Sequence, residues 1–376
     1  MRLLLLNGPN LNLLGTRAPE VYGSTTLPEL ETLCRGWAEE RGHVLEGYQS
    51  NHEGALIDTI HGARGVFDGI VFNPGAYTHT SYALHDAIEA AEVPTVEIHI
   101  SNVRAREAWR RESRIGPACT YQIFGRGIEG YRYAIDRLHY DHLSPATIHG
   151  VAEPDQVGDL RLPDGDGPHP VVMLIHGGFW REVWTRDTLD GLAIDLQRRG
   201  FATWNVEYRR IPPIGAWRTT IDDVVDAGNA VTALAESSPI DPDDVTLLGH
   251  SAGAHLAVMA ATRLVRAPRR LLLLGGVLDL DILEPGHDAL PLFLGDELET
   301  HRSAVNPREQ APTGVSTLAV HGSTDDSVPP DHSRNYVAAA GDEAELLELE
   351  ESDHWDVIDP SSEAWDRVAE RLTTPT

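Results

Sequence analysis

Residues 245–265 read VTLLGHSAGAHLAVMAATRLV. The apolar run at 245–248 has strand character, the G-x-S-x-G turn Gly249–Gly253 follows at once, and AHLAVMAATRLV continues as a helix-like stretch. A strand that turns sharply into a helix lifts the side chain at the turn, here the Ser251 hydroxyl, above the end of a sheet. The pentapeptide alone is a weak signal, so the flanking sequence decides its meaning. Upstream, HGGFW at 176–180 follows the apolar run VVMLI, and backbone N–H groups around Gly178 and Phe179, with that of Ala252, would face an oxyanion. Downstream, HGSTDDSVP at 321–329 and ESDHWD at 351–356 each follow an apolar run and bring Asp325 and His354. Serine, acid and histidine then stand in the chain order expected of a nucleophilic triad on a parallel sheet.

The same rhythm extends outward. FATWNVEYR, RRLLLLGG, TLAVHGSTDD and ELLELEESDH are further strand-like runs in the second half. In the first, RLLLLN, GIVFNP and PTVEIHI alternate with LPELETLCRGWAEERG, EGALIDTIHGAR and SYALHDAIEAA, whose apolar residues recur at helical spacing. Both series are βαβ patterns and imply parallel sheets wrapped by helices, an α/β fold twice over. The rhythm lapses over DHLSPATIHGVAEPDQVG at 141–158, which holds two prolines and several turn formers and reads as a linker. The expected division is a first domain at 1–142, a linker and the start of the second domain at 143–157, and a second domain at 158–376.

A chain of 376 residues with 41% hydrophobic residues can fill two cores. No apolar run is long enough to cross a bilayer, and the opening MRLLLLNGPN is too short for a signal segment and reads as a first buried strand. Cys34 and Cys119 are the only cysteines, which excludes a disulfide framework, argues against a zinc site and points to a reducing cytoplasm. All 30 basic residues are Arg against 58 acids, a net charge of -28, with roughly -5 of it before residue 143. So acidic a surface repels phosphate backbones and excludes nucleic acid as a partner; it reads as solubility or adaptation to salt.

Ligands of open α/β sheets bind at the carboxyl ends of strands. In the first half those positions hold Asn10, Asn73, Glu97 and His99, and the loop after the first strand adds Arg17 and Tyr22. A guanidinium beside a phenol favours phenolate, so Tyr22 is a candidate base; His99, two residues past Glu97 on one strand face, is a candidate proton donor. Base, acid and amides together suit proton abstraction next to a carbonyl followed by loss of hydroxyl. The residues alone leave a lyase and a hydrolase both open.

The strings NGPNLNLLGTRAPEVYG, NPGAYTHTSYALHDAI and VEIHISNVRAREAWRRES resemble the signature segments of type II 3-dehydroquinate dehydratase, in family order and spacing, across about residues 1–142. IGPACTYQIFGRGIEGY is a looser match that keeps the glycines and Tyr131. The resemblance implies a flavodoxin-like fold and anti-elimination of water from 3-dehydroquinate through an enolate, with no cofactor and no metal. It makes Tyr22 the base, activated by Arg17, and His99 the donor to the departing hydroxyl. Asn10 would sit at the enolate oxygen or a water, Asn73, His79 and Arg110 would grip ring hydroxyls, and the N–H groups of Ile100 and Ser101 would bind the carboxylate. Asp86 would reach a neighbouring subunit's site, which implies a homo-oligomer, a dodecamer built from trimers.

Residues from about 148 to 376 resemble esterase/lipase-type α/β-hydrolases with an HGGxW loop, a group that includes kynurenine formamidase and carboxylesterases. The pattern HGxxDxxVP places the triad acid at Asp325 in preference to Asp326. The implied chemistry is acyl-enzyme hydrolysis of an ester or amide. Residues 277–299 are the expected cap, and Trp180, Trp184, Trp217 and Trp355 are candidates for an aromatic-lined pocket or for the core. The simplest expectation is two active enzymes on one chain, with a quinate-type ester as the hydrolase substrate; the alternative is a dodecameric core that only displays a hydrolase.

Overall fold

The computed structural model describes residues 1–17, 23–150, 155–283 and 288–373. The chain forms two compact units, Met1–Leu143 and Ser144–Thr376.

The first unit is a sheet of five parallel strands: β1 (Arg2–Asn7), β2 (Val44–Gln49), β3 (Gly69–Asn73), β4 (Thr95–His99) and β5 (Tyr121–Phe124), in the order β2-β1-β3-β4-β5. This is the flavodoxin-like order. Alternate residues of β1 serve opposite faces. Leu3 and Leu5 join Leu30, Cys34, Tyr131 and Ile135 of the helices Leu27–Glu40 and Glu129–Leu143. Leu4 and Leu6 join Leu56, Ile60, Leu84 and Ile88 of the helices Glu53–Ala63 and Tyr82–Ala91. Cover on both faces is why RLLLLN is an unbroken apolar run. β2 lies on one side of β1 and β3 on the other, so the loops leaving β1 and β3 diverge and open a crevice at their carboxyl ends.

The second unit is an eight-stranded sheet ordered β13-β12-β11-β10-β8-β9-β7-β6. Its parallel part comprises β8 (His169–Ile175), β9 (Ala202–Val206), β10 (Ile240–His250), β11 (Arg270–Leu274), β12 (Thr317–Gly322) and β13 (Ala344–Leu349). The described residues of the stretch read as a linker and the start of the second domain supply strands to this sheet: β6 (Thr147–Gly150) and β7 (Val157–Arg161) pair antiparallel, and β7 pairs antiparallel with β9; residues 151–154 lie outside the described residues. As the outermost strand, β6 is largely exposed and so has no apolar run to announce it. The segment expected as a cap also differs from expectation. Val277, Leu278, Leu280, Leu290, Phe293 and Leu294 are buried in the main core, so much of 277–299 packs inward; residues 284–287 lie outside the described residues.

Candidate active sites

The crevice of the first unit is a cavity of about 90 Å³ lined by Asn10, Arg17, Asn73, His79, His99, Ile100, Ser101, Arg106 and Arg110. Eight of these were named from sequence; Arg106 was not. Its Nη1 donates to Ser101 Oγ at 3.3 Å, and the short turns of 103–110 have no periodicity that tells which of several arginines faces inward. Tyr22 falls in 18–22, outside the described residues, so its expected pairing with Arg17 has no geometry here. Asp86 is exposed on the helix Tyr82–Ala91 and does not line this cavity.

His99 ends β4 and is oriented from beneath. Its Nε2 donates to Glu97 Oε1 at 2.7 Å, and Glu97 is fully buried. Burial pushes the Glu97 pKa up, but hydrogen bonds from His99, Thr78 and Gln122 outweigh it and hold the group below the ordinary value, so it remains a carboxylate. Ser113 Oγ also donates to Glu97 Oε2, at 2.8 Å. His79 donates from Nδ1 to Glu112 O at 2.9 Å, and its ring lies 6.4 Å from that of His99. Partial burial, with His99 and Arg110 nearby, lowers its pKa and favours the neutral imidazole. Asn73 donates from Nδ2 to Tyr131 Oη at 2.8 Å and accepts from Gly75 N at 3.2 Å, so the fold braces its amide before any ligand arrives.

In the second unit Ser251 occupies the turn between β10 and the helix Ala252–Ala261 at φ 55°, ψ -120°, a strained conformation for a residue with a side chain. The surroundings enforce it. Ser251 N donates to Leu274 O at 2.9 Å, Val277 N donates to Ser251 O at 3.1 Å, and a Cβ on Gly253 would lie 1.9 Å from Ile175 O. The HGGFW loop closes on Ser251: a Cβ on Gly177 would stand 2.7 Å from that of Ser251. Gly178, Phe179 and Trp180 all take positive φ, which turns this backbone sharply beside Ser251 and Ala252.

His354, after β13, donates from Nδ1 to Asp325 Oδ2 at 2.6 Å. Asp325, after β12, accepts at Oδ1 from Ser327 N (2.9 Å) and Val328 N (2.8 Å), and His321 Nε2 is 3.3 Å from its Oδ2. Burial raises the Asp325 pKa, but hydrogen bonds from His321 and His354 dominate and hold it far below the usual carboxylate range. Asp326 is exposed and, among the described residues, accepts from Ser327 Oγ at 3.4 Å; the carboxylate beside His354 is that of Asp325. Supporting residues were missed: His250 and His176 fall within the GHSAG and HGGFW motifs, but at positions to which those motifs give no role, and Glu207 and Arg210 lie outside them. His250 donates from Nε2 to the His354 carbonyl at 3.0 Å. His176 donates from Nε2 to Glu207 at 2.8 Å, and Glu207 pairs with the buried Arg210. Each comes from a strand end distant in sequence from its partner.

Residues 1–139 match the dehydroquinase class II family model. The chain is 57% identical over 143 residues to a 3-dehydroquinate dehydratase of Ruegeria pomeroyi, covering 38% of this chain and 95% of that protein. The chain belongs to the class II dehydroquinase family. A catabolic 3-dehydroquinase of Aspergillus terreus is 54% identical over 148 residues, 39% of this chain and 97% of the relative. Beyond the dehydroquinase unit, residues 159–267 match the BD-FAE model and 215–372 the prolyl oligopeptidase family. A truncated carbohydrate esterase from gut microbiota superposes with a TM-score of 0.54 at 17% identity, over 61% of this chain and 95% of that one. At that identity the likeness establishes the α/β-hydrolase fold of the second unit. The chain is therefore a dehydroquinase followed by a hydrolase-fold unit.

Proposed function

We infer that the chain is a bifunctional enzyme, a 3-dehydroquinate dehydratase joined to a serine hydrolase. The first assignment is carried by the arginine-lined crevice into which Glu97 orients His99. An anionic hydroxylated ring suits Arg17 and Arg110, with the carboxylate on the N–H groups of Ile100 and Ser101 and the ring hydroxyls on Asn73, His79 and Arg110. Tyr22, as phenolate beside Arg17, takes the proton next to the ketone, and the resulting enolate is met near Asn10. His99 then protonates the departing hydroxyl, so that a proton and a hydroxide leave as water and a conjugated enone remains.

The second assignment is carried by the 2.6 Å contact between His354 and Asp325 beneath the strained Ser251 turn. His354 accepts the Ser251 proton as the hydroxyl attacks a carbonyl, and Asp325 stabilises the imidazolium. Backbone N–H groups of Gly178, Phe179 and Ala252 receive the oxyanion, the leaving group takes the proton from His354, and water releases the acyl group. The substrate we assign is an ester of quinate or a related cyclohexane acid. The fusion supports this, because one oxidation converts released quinate into the substrate of the first site. An N-formylated aromatic amine is the rival, supported by the HGGFW loop.

The exposed position of Asp86 supports an assembly in which it completes a neighbour's site, and a dodecamer of 41.2 kDa chains would have a mass of roughly 500 kDa. Among the described residues no helix is long and apolar enough to cross a membrane, and two unpaired cysteines suit a cytoplasmic enzyme. The test is direct. Purified protein should form the conjugated enone from 3-dehydroquinate in the presence of EDTA, and should hydrolyse a caffeoyl-quinate faster than N-formylkynurenine or a simple acetate. A quinate ester no faster than the acetate removes that substrate and leaves the dehydratase standing. Light scattering from an active monomer removes the dodecamer.

A further inference from the structure

The fold divides the four tryptophans near the hydrolase motifs two and two. Trp180 is fully buried and stacks on Phe293 with ring centroids 4.3 Å apart, and Trp217 is 5% exposed; both belong to the core. Trp184, half-buried, and Trp355, exposed, stay out of the core, and their rings meet at 5.4 Å with planes tilted by 34°. They come from the two loops that build the site. A Cβ on Gly178 would lie 2.2 Å from that of Trp184, so this side chain packs directly over the oxyanion loop. Trp355 follows His354 in sequence; its ring stands edge-on to the His354 ring at 5.6 Å and lies 5.7 Å from that of His250.

Both backbones are anchored. The buried Arg210 donates to Trp184 O at 3.2 Å while paired with Glu207. Trp355 N donates to Asp353 Oδ1 at 2.7 Å, and Asp353 N donates to Asp356 Oδ2 at 2.8 Å. An indole with 40% of its surface left in water, fixed beside a reacting histidine, has no core to stabilise by being there. What it offers is a wide polarisable face already oriented, and a planar ring gains from such a face more than a saturated ring of similar size.

We propose that Trp184 and Trp355 form an aromatic subsite of the Ser251 centre, taking a planar ring carried by the ester or amide close to its scissile bond. The inference rests on the hydrolase reading above and names the substrate class of that site. The ring belongs either to the acyl group or to the leaving group, and two matched pairs distinguish the sources. Benzyl acetate against cyclohexylmethyl acetate probes the leaving side; methyl phenylpropanoate against methyl cyclohexylpropanoate probes the acyl side. Within each pair the reacting carbonyl is chemically equivalent, so the ratio of kcat/KM reads ring recognition, and loss of folded protein cancels.

With the full chain, one pair should favour the phenyl member by about five- to tenfold. Trp355→Ala and Trp184→Ala should bring that ratio close to one, and Trp355→Phe should retain part of it. Ratios near one in both pairs for the parent protein, or a preference that survives both alanine variants, overturn the subsite while leaving the hydrolase reading intact. Labelling of Ser251 by a fluorophosphonate without turnover of either phenyl ester does the same. Neither labelling nor turnover overturns the hydrolase reading and the subsite together.

Discussion

The two units put their reactive side chains in the same place, the carboxyl ends of parallel strands, and prepare them in opposite ways. The dehydroquinase crevice gathers cationic side chains, Arg17, Arg106 and Arg110, on short turns and loops around a small cavity, with one buried carboxylate setting the orientation of His99. The hydrolase unit relies on backbone. Ser251 and the Gly178–Trp180 loop hold positive φ, and Asp325 is sunk among three hydrogen-bond donors with His321 Nε2 3.3 Å away. Recognition of a charged substrate calls for long side chains that reach. Activation of a weak nucleophile calls for a hydroxyl that cannot move away, and strain locked by packing provides that. Strand ends at a parallel sheet accommodate both because the sheet below is rigid and the loops above are free to differ.

If the sites are independent, single substitutions should separate them. Ser251→Ala should lower ester hydrolysis by about 10⁴-fold or more and leave 3-dehydroquinate turnover unchanged, while Tyr22→Phe does the reverse. Steady-state assays of both reactions on each variant are the check, and joint loss of both activities breaks the comparison.

The carboxylates at 325 and 326 sharpen it. Asp325→Asn should cost hydrolysis about 10³- to 10⁴-fold in kcat, because His354 Nδ1 loses its acceptor. Asp326→Asn, at an exposed carboxylate without a histidine partner, should stay within about threefold. Equal losses would place the acid elsewhere.

Acid should reveal the network behind the HGGFW loop. Burial pushes the Glu207 pKa up, but Arg210 and His176 overcome this and bring it down to about 2 from 4.5. A folded-state pKa below the unfolded one means that the charged carboxylate stabilises the fold above about pH 4.5 and that this stabilisation is lost as pH falls toward about 2, a difference of order a few kcal/mol. Glu207→Gln should be less stable than the parent at neutral pH, with the gap narrowing at about pH 3. Urea unfolding at the two pH values measures it; a constant gap would mean that Glu207 is not held as a carboxylate by Arg210.

The smallest expected effect concerns the first unit. Ser81 Oγ accepts from Leu84 N at 2.9 Å and caps the helix Tyr82–Ala91. Ser81→Ala should cost about 1 kcal/mol and lower the thermal midpoint of dehydratase activity by a few degrees while that of ester hydrolysis holds. A midpoint that falls equally for both activities would show the units melting as one.

Burial made many strands legible, but not all: β5 buries three of its four residues and went unread, while the edge strand β13, with one of six buried, was read within ELLELEESDH. β1, β3 and β4, and in the second unit β8, β11 and β12, are covered on both faces and read as apolar runs. β2 buries only Leu45 among six residues, and β6 is largely exposed; these two edge strands carry mixed sequence and pass for loops. The sites divided along the same line. Positions with a defined role in a contiguous motif could be found by spacing, whereas Arg106, His250 and His321, though inside such motifs, and Glu207, outside them, draw their meaning from the partners the fold brings to them.

By itself the sequence determined the two βαβ series, the motifs at their strand ends and the family of the first unit, because apolar periodicity and contiguous motifs are local properties of a chain. Tertiary structure alone decided the strand order that opens the first crevice, the antiparallel edge formed by β6 and β7, the inward packing of much of 277–299, and which two of four tryptophans stay out of the core. Each of these depends on which residues distant in sequence share a volume, and burial against a distant partner leaves no periodic mark on the residues that are buried.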